Sequence, residues 1–228
     1  MPENRKTRSK TILDSRRLAL SAPITGKTGE GGKKIWSSLT VSVFNNLPCI
    51  TVFTNDPDDQ KNENGVIRAV VDPIEFSAVL IDFERVIAGP DSKENKRQLC
   101  NVERDRSNTP QGEKPAVRSA FCYGKDEDGI AWVALSARGR PNIRFDFGYS
   151  RYHYLQHKSG EQVSKSEASQ LFALGWIHLV RTFVTDLMRT EYEHPQAQNE
   201  GGEKNNRGRN SPTAKSHYSE IEEDDIPY

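Results

Sequence analysis

Two runs of short, strand-like segments, each followed by one long amphipathic helix, constrain the fold of this chain most strongly. The first helix is predicted over residues 73–88, because apolar residues recur there at helical spacing. Asp72 is expected as its N-cap, with Pro73 in the first position, and Gly89-Pro90 ends it. Its apolar stripe consists of Phe76, Val79, Leu80, Phe83 and Ile87.

The second helix is predicted over residues 165–190. Ser164 serves as its N-cap and Glu167 completes a capping box. His178, inside this helix, is interpreted as a packed or surface histidine rather than a ligand or base. The predicted apolar stripe consists of Phe172, Trp176, Leu179, Phe183 and Leu187.

Four strand-like runs precede each helix. Those before the first helix cover residues 16–21, 35–44, 50–54 and 66–71, and those before the second cover 117–123, 130–137, 142–147 and 152–156. The stretch 46–50 also aligns with 139–143 at an offset of 93, and the two N-caps at 92. A duplicated unit of four strands and a helix explains these offsets; chance alternation is the other interpretation.

This element order resembles that of the Whirly and PUR families of single-stranded nucleic-acid-binding proteins. The resemblance implies an α+β fold of tandem β4-α repeats, in which two antiparallel sheets pack through two helices. We predict a disordered basic arm, the first repeat, a polar linker, the second repeat and a disordered tail. These cover residues 1–15, 16–89, 90–116, 117–192 and 193–228.

The last eight residues carry the clearest functional signal. Four carboxylates, Glu222, Glu223, Asp224 and Asp225, run into the apolar tip Ile226, Pro227 and Tyr228. An apolar wedge stiffened by proline can enter a hydrophobic pocket while the carboxylates meet a basic rim. The segment resembles the C-terminal tip of bacterial and bacteriophage single-stranded DNA-binding proteins, with tyrosine in place of the usual phenylalanine. A generic acidic tail is the alternative.

Composition and charge limit the cellular setting and the ligand. Mean hydropathy is −0.76, no run approaches the ~18 apolar residues of a membrane span, and three scattered cysteines form no disulfide framework or zinc site. We therefore expect a cytoplasmic protein with reduced thiols and no membrane contact.

Net charge is zero overall, but residues 118–165 hold eight Lys/Arg against five Asp/Glu. That basic region suggests a polyanionic ligand.

Single-stranded DNA binding requires cations for phosphates and aromatic faces for bases. Lys33, Lys34 and Trp36 follow a glycine-rich stretch. The turn 138–140 is basic, and residues 149–158 mix tyrosines with cationic side chains. Half-buried strand tyrosines are the alternative interpretation of that last stretch. The predicted DNA-binding residues are Arg16, Arg17, Lys33, Lys34, Trp36, Trp132, Arg138, Arg140, Arg144, Tyr149, Arg151, Tyr152, Tyr154 and Lys158.

An enzyme is the main competing class. The carboxylate clusters 56–59 and 126–128 lie in predicted turns, where acidic residues are common. No spacing indicates a metal site or a nucleophile with its base, so we expect no cofactor, metal or catalytic residue, with a metal-dependent nuclease as the alternative.

The sequence thus predicts a non-enzymatic, sequence-independent single-stranded DNA-binding protein of a bacteriophage, acting in replication, recombination or transcription. The tip would recruit replication proteins or RNA polymerase. The chain also resembles the single-stranded DNA-binding RNA polymerase cofactors of short-tailed bacteriophages, which makes recruitment of polymerase to melted promoters one alternative. An adaptor that binds no DNA is another. RNA binding stays open, and we expect a homodimer or homotetramer.

Overall fold

Two antiparallel sheets and two helices make up the part of the chain that the computed structural model describes. That part covers residues 20–92, 95–102, 116–150, 152–190 and 192, and it belongs to one compact unit. The first sheet consists of β1 (Leu20–Thr28), β2 (Lys34–Phe44), β3 (Leu47–Phe53) and β4 (Val66–Val70); helix α1 (Pro73–Ala88) follows it. The second consists of β5 (Lys96–Val102), β6 (Val117–Lys125), β7 (Ala131–Ala137) and β8 (Arg144–Asp146); helix α2 (Lys165–Thr190) follows it. Both sheets are paired in sequence order, which confirms the α+β class.

Both helices have the predicted bounds because their caps fix the ends. The Asp72 carboxylate accepts hydrogen bonds from the backbone N–H groups of Ile74 (2.8 Å) and Glu75 (3.4 Å). The Ser164 hydroxyl accepts one from Glu167 N–H at 3.1 Å. The predicted stripe of α1 is buried as expected.

The predicted stripe of α2 is correct at Trp176, which is 7% exposed, and wrong at Leu179, which is 44% exposed. Phe172, Phe183 and Leu187 are partly buried. Ala173, Ile177 and Val180 are fully buried, so the buried side of the helix is rotated toward them. The helix packs against both sheets, contacting β2, β3 and β7.

By length and composition alone, α2 is long and apolar enough to cross a membrane, contrary to the expectation that no such run exists. One such helix is weak evidence for a membrane span, and 28% of its apolar window is buried inside the protein.

The main hydrophobic core lies between the inner faces of the two sheets and the helices, and a small second cluster, Ala120, Cys122 and Ala134, lies under Trp132 on the second sheet. Its largest fully buried side chains include Leu39 and Ile50 from the first sheet, Phe83 from α1, and Phe121 and Phe145 from the second sheet. The edge strand β4 packs near β6, where the Ser119 hydroxyl donates to the Arg68 carbonyl at 3.3 Å. The halves therefore share one core, and each sheet keeps an outer face away from it.

Two predicted strands, 16–21 and 152–156, need correction, and β5 was not predicted. Strand β1 overlaps the predicted 16–21 run only at Leu20 and Ser21, and residues 16–19 lie outside the described ranges. It continues through Pro23, which an edge strand tolerates because one side needs no partner. Strand β5 falls inside the predicted linker, and only Leu99 gives it an inward apolar residue of the core.

The predicted strand 152–156 is absent from the second sheet. That segment makes only an isolated bridge between Gln156 and Gln162. The Ser150 hydroxyl accepts hydrogen bonds from the N–H groups of Tyr152 (3.2 Å) and His153 (3.0 Å), and such local bonds compete with a strand ladder. The second unit thus starts at Lys96 rather than at residue 117.

The alignment at an offset of 93 is therefore not a structural correspondence. It matches the start of β3, the third strand of its sheet, with the start of β8, the fourth strand of the other. The helix N-caps do correspond, since each helix follows the fourth strand of its sheet.

Candidate nucleic-acid interface

The outer face of the first sheet carries aromatic side chains that no helix covers. Cross-strand pairs Ser38–Phe53 and Thr51–Arg68 fix which residues point outward. Trp36 is 44% exposed, Phe44 47% and Phe53 39%. We call this surface the open face and define it by Lys34, Trp36, Phe44, Phe53 and Arg68.

The aromatic rings lie along the open face rather than in one cluster. Phe53 is diagonal to Trp36, because it pairs with Ser38 two residues further along β2. Phe44 is eight residues from Trp36 on the same strand, about 26 Å at roughly 3.3 Å per residue. The guanidinium carbon of Arg68 lies 5.9 Å from the centre of the Phe44 ring. Rings spaced in this way can contact several successive bases.

A groove of about 1760 Å³ adjoins the open face, shares Phe44 and Arg68 with it, and is also lined by Val66 and Val70 of β4. Its other wall is formed by β5 and the start of β6. This volume exceeds the ~300–1,000 Å³ of typical small-molecule sites, so an extended ligand fits it better. Its cations are Lys61, Arg68, Arg118, Arg138 and Arg140, against the acids Glu63 and Glu75.

No family model, curated protein or solved structure matches this chain. The geometry of its own residues therefore carries the functional argument.

Of the predicted residues, Lys34 and Trp36 lie on the open face, Lys33 is exposed just before β2, and Arg138 is exposed at the groove. Arg16, Arg17, Arg151 and the tip residues 222–228 lie outside the described ranges.

Trp132 is on the outer face of the second sheet, but its ring already has protein neighbours. It leans over its cross-strand partner Gly124, where an added Cβ would lie 2.7 Å from the ring. The Arg144 guanidinium lies on it, 5.1 Å from the ring centre. Little of this indole is open to a base.

Arg144 is held by two carboxylates of the same sheet. It bonds to Asp126 at 2.5 Å and to Asp146. Burial alone raises the pKa of Asp126, but hydrogen bonds from Arg144 and two backbone N–H groups bring it below its usual value. These ion pairs largely neutralise the guanidinium as a phosphate ligand.

Arg140 does not serve the groove as a free cation. It makes a bidentate pair with Asp59, at 2.5 and 2.6 Å, and its side chain is only 9% exposed. The pair joins the β7–β8 turn to the β3–β4 connection, so Arg140 holds the wall of the groove.

The predicted tyrosines separate into two groups. Tyr149 is half-buried: its hydroxyl donates to the Val163 carbonyl at 2.7 Å and its ring contacts Phe172 edge-on. Tyr152 is 86% exposed, Tyr154 62%, and Lys158 is also exposed. This second group extends from a loop between β8 and α2, and no described contact joins it to the open face.

Sequence reasoning missed Phe44, Phe53, Arg68, Lys61 and Arg118. The sequence contained a signal for Phe44. It lies in β2, whose alternate residues 36, 38, 40, 42 and 44 are Trp, Ser, Thr, Ser and Phe. Aromatic residues at both ends of a polar strand face indicate exposed rings. Lys61 and Arg118 join the site only through folding, because they come from different halves.

The acidic clusters are engaged by cations. Asp56 bonds to Lys27 at 2.6 Å and Asp59 to Arg140. Within the described ranges, no group of three or more His, Cys, Asp or Glu residues could hold a metal ion. No observed geometry favours the nuclease alternative.

Proposed function

We propose that this chain binds single-stranded DNA, independently of sequence, on the open face and in the adjoining groove. The continuity of the two surfaces carries the proposal: exposed rings of Trp36, Phe44 and Phe53 lead, through Arg68, to a groove richer in cations than in acids. Rings supply stacking for unpaired bases, and the cations follow the phosphates. Duplex DNA keeps its bases stacked inside and cannot use the rings.

The order of elements in both halves supports a finer proposal, a Whirly- or PUR-like tandem repeat. Each half is a four-stranded sheet paired in sequence order with one helix after it. In such an arrangement each outer sheet face is free for a ligand. The tip sequence Asp-Ile-Pro-Tyr supports a bacteriophage origin by its resemblance to phage single-stranded DNA-binding proteins.

Fluorescence anisotropy with labelled single-stranded and duplex oligonucleotides of one sequence tests the proposal. We expect a strong preference for the single strand and an affinity that falls steeply as salt rises. An RNA strand of the same sequence, measured in parallel, determines whether the site distinguishes ribose from deoxyribose. Equal affinity for single strand and duplex would refute stacking, and no binding at low salt would leave the adaptor alternative.

Deleting residues 221–228 is expected to tighten DNA binding and abolish capture of partner proteins. The reason is electrostatic: Glu222, Glu223, Asp224 and Asp225 compete with phosphates for the same cations when DNA is absent, and the tip is then freed for a partner. The measurement is anisotropy with full-length and shortened protein, together with pull-downs of replication proteins and RNA polymerase. A variant with Ile226 and Tyr228 changed to Ser is the control, because it keeps the carboxylates. If the shortened protein has unchanged DNA affinity and still captures partners, this mechanism is contradicted. The identity of the partner that the full chain captures separates a role in replication from one in transcription.

A further inference from the structure

The solvent side of α2 lacks carboxylates, lysines and arginines from Leu171 to Thr185. Its exposed residues there are Leu171, Leu174, Gly175, His178, Leu179, Thr182 and Thr185. Leu171, Leu174 and Leu179 are 47%, 39% and 44% exposed on this side. The one charged residue of the stretch, Arg181, bonds to Glu84 of α1 at 2.9 Å. Loss of charged residues from a surface is the compositional mark of an interface core.

Helix α1 adds apolar residues beside this surface. Ile74 is 81% exposed and Ile81 43%, with Ala78 exposed between them, while Glu75, Ser77 and Arg85 make the rest of its outer side polar. The two helices run antiparallel, since Pro73 and Phe76 at the start of α1 meet Val184 and Met188 near the end of α2. We call the combined outer surface of α1 and α2 the helix face.

A cavity of about 190 Å³ lies between the helices. It is lined mainly by apolar side chains, and the exposed residues Ser77 and Thr185 place it at the surface. Ile74 projects into solvent next to Pro73, which lines the cavity. One surface thus offers both a protruding aliphatic side chain and an apolar hole. Its main lining residues are Pro48, Pro73, Phe76, Leu80, Val184 and Met188.

We propose that the helix face is the interface between two copies of this chain. A two-fold interface presents the same patch from both subunits and must be self-complementary. The helix face carries both parts of such a contact, the protruding Ile74 side chain and the apolar cavity lined by its neighbour Pro73. An acidic tail or a nucleic acid would find few cations on it, whereas exposed apolar patches of this kind mark protein–protein contacts.

Such a dimer leaves the open face accessible, and it meets the groove only at Glu75, which is next to Ile74 on α1. The helices cover the inner faces of the sheets, so a partner on the helix face does not reach the open face. Two open faces in one particle bind a long strand more tightly than one, through effective concentration. The interface does not depend on DNA binding, so the two proposals can fail separately.

Sedimentation equilibrium of the full chain, with Ile74→Glu and Leu179→Glu as variants, tests the interface. We expect the wild type to have at least twice the 25.7 kDa chain mass and both variants to sediment at 25.7 kDa. Val70→Glu, a matched change at a 38% exposed aliphatic residue on the opposite side, should keep the wild-type mass. Circular dichroism and melting temperature establish that the variants are folded.

A monomeric wild type at about 100 μM, or variants that keep its mass, would overturn the proposal. So would a monomeric wild type that co-sediments with phosphatidylcholine–phosphatidylglycerol vesicles, since the helix face would then be a lipid-binding surface.

Discussion

Replacing Arg140 with alanine is expected to lower the free energy of unfolding by about 3–5 kcal/mol at neutral pH. The change leaves the Asp59 carboxylate, 2% exposed, without its cation. Thr54 and Asn62 still donate to that carboxylate at 2.8 and 3.1 Å, but neither brings a charge. Urea unfolding followed by circular dichroism measures the loss.

Arg138→Ala is the matched control for Arg140→Ala. It removes the same charge two residues away in the same turn, but from an exposed side chain, and should change stability by less than about 0.5 kcal/mol. The double variant Asp59→Asn with Arg140→Met should recover part of the loss, because no unpaired charge stays buried. If Arg138→Ala and Arg140→Ala lower the free energy of unfolding by the same small amount, the Arg140–Asp59 ion pair does not hold the two halves together.

The loss from Arg140→Ala should shrink as the pH falls. Burial raises the pKa of Asp59, but hydrogen bonds from Arg140, Asn62 and Thr54 outweigh burial and bring it below its usual value. A carboxyl with a depressed folded pKa stabilises the fold above its unfolded pKa, about 3.9, and this contribution disappears as pH falls through the folded pKa. Without Arg140, burial dominates, so Asp59 takes up a proton at higher pH and the buried charge vanishes.

The helices and most strands could be predicted because their signals are local. Asp72 and Ser164 cap helices through side chains two or three residues away from the N–H groups they accept. Strand β5 could not be predicted in the same way, since its sequence has one core-facing apolar residue and its partner strand supplies the rest of its environment. Helix α2 buries Ala173, Ile177 and Val180 beside Trp176, whereas the prediction followed a neighbouring row of residues that also contains Trp176.

The candidate site was predictable only where alternation within one strand decides exposure, as for Lys34 and Trp36. Arg140 looked like a free cation because its partner, Asp59, lies 81 residues earlier in the chain. Trp132 looked like a stacking residue because the sequence does not show that Arg144 lies on its ring. Pairing between distant segments thus decides which cations and rings are free.

Replacing Trp36, Phe44 or Phe53 with alanine should each weaken binding of single-stranded DNA by about 1–3 kcal/mol. The rings are 39–47% exposed, so their removal should leave the fold intact. Each loss should appear as a lower affinity at every salt concentration, with an unchanged slope of log affinity against log salt, because a stacked base releases no counterion. Anisotropy titrations at four or more salt concentrations, with melting temperatures as the folding control, provide the measurement.

The cations of the groove should behave in the opposite way, and the contrast tests the whole surface. Alanine at Arg68 or Arg138 should reduce the salt slope by about one each, because each phosphate contact releases about one counterion. Arg118→Ala should reduce it by less, because Arg118 already pairs with Glu63 at 3.4 Å. Arg144→Ala should leave the slope unchanged, since Asp126 and Asp146 already neutralise that guanidinium. Tyr152→Ala and Tyr154→Ala decide between two paths for the strand. If these two tyrosine variants lose affinity while the alanine variants of Trp36, Phe44 and Phe53 keep it, DNA follows the exposed loop after β8 and the open face is not the binding surface.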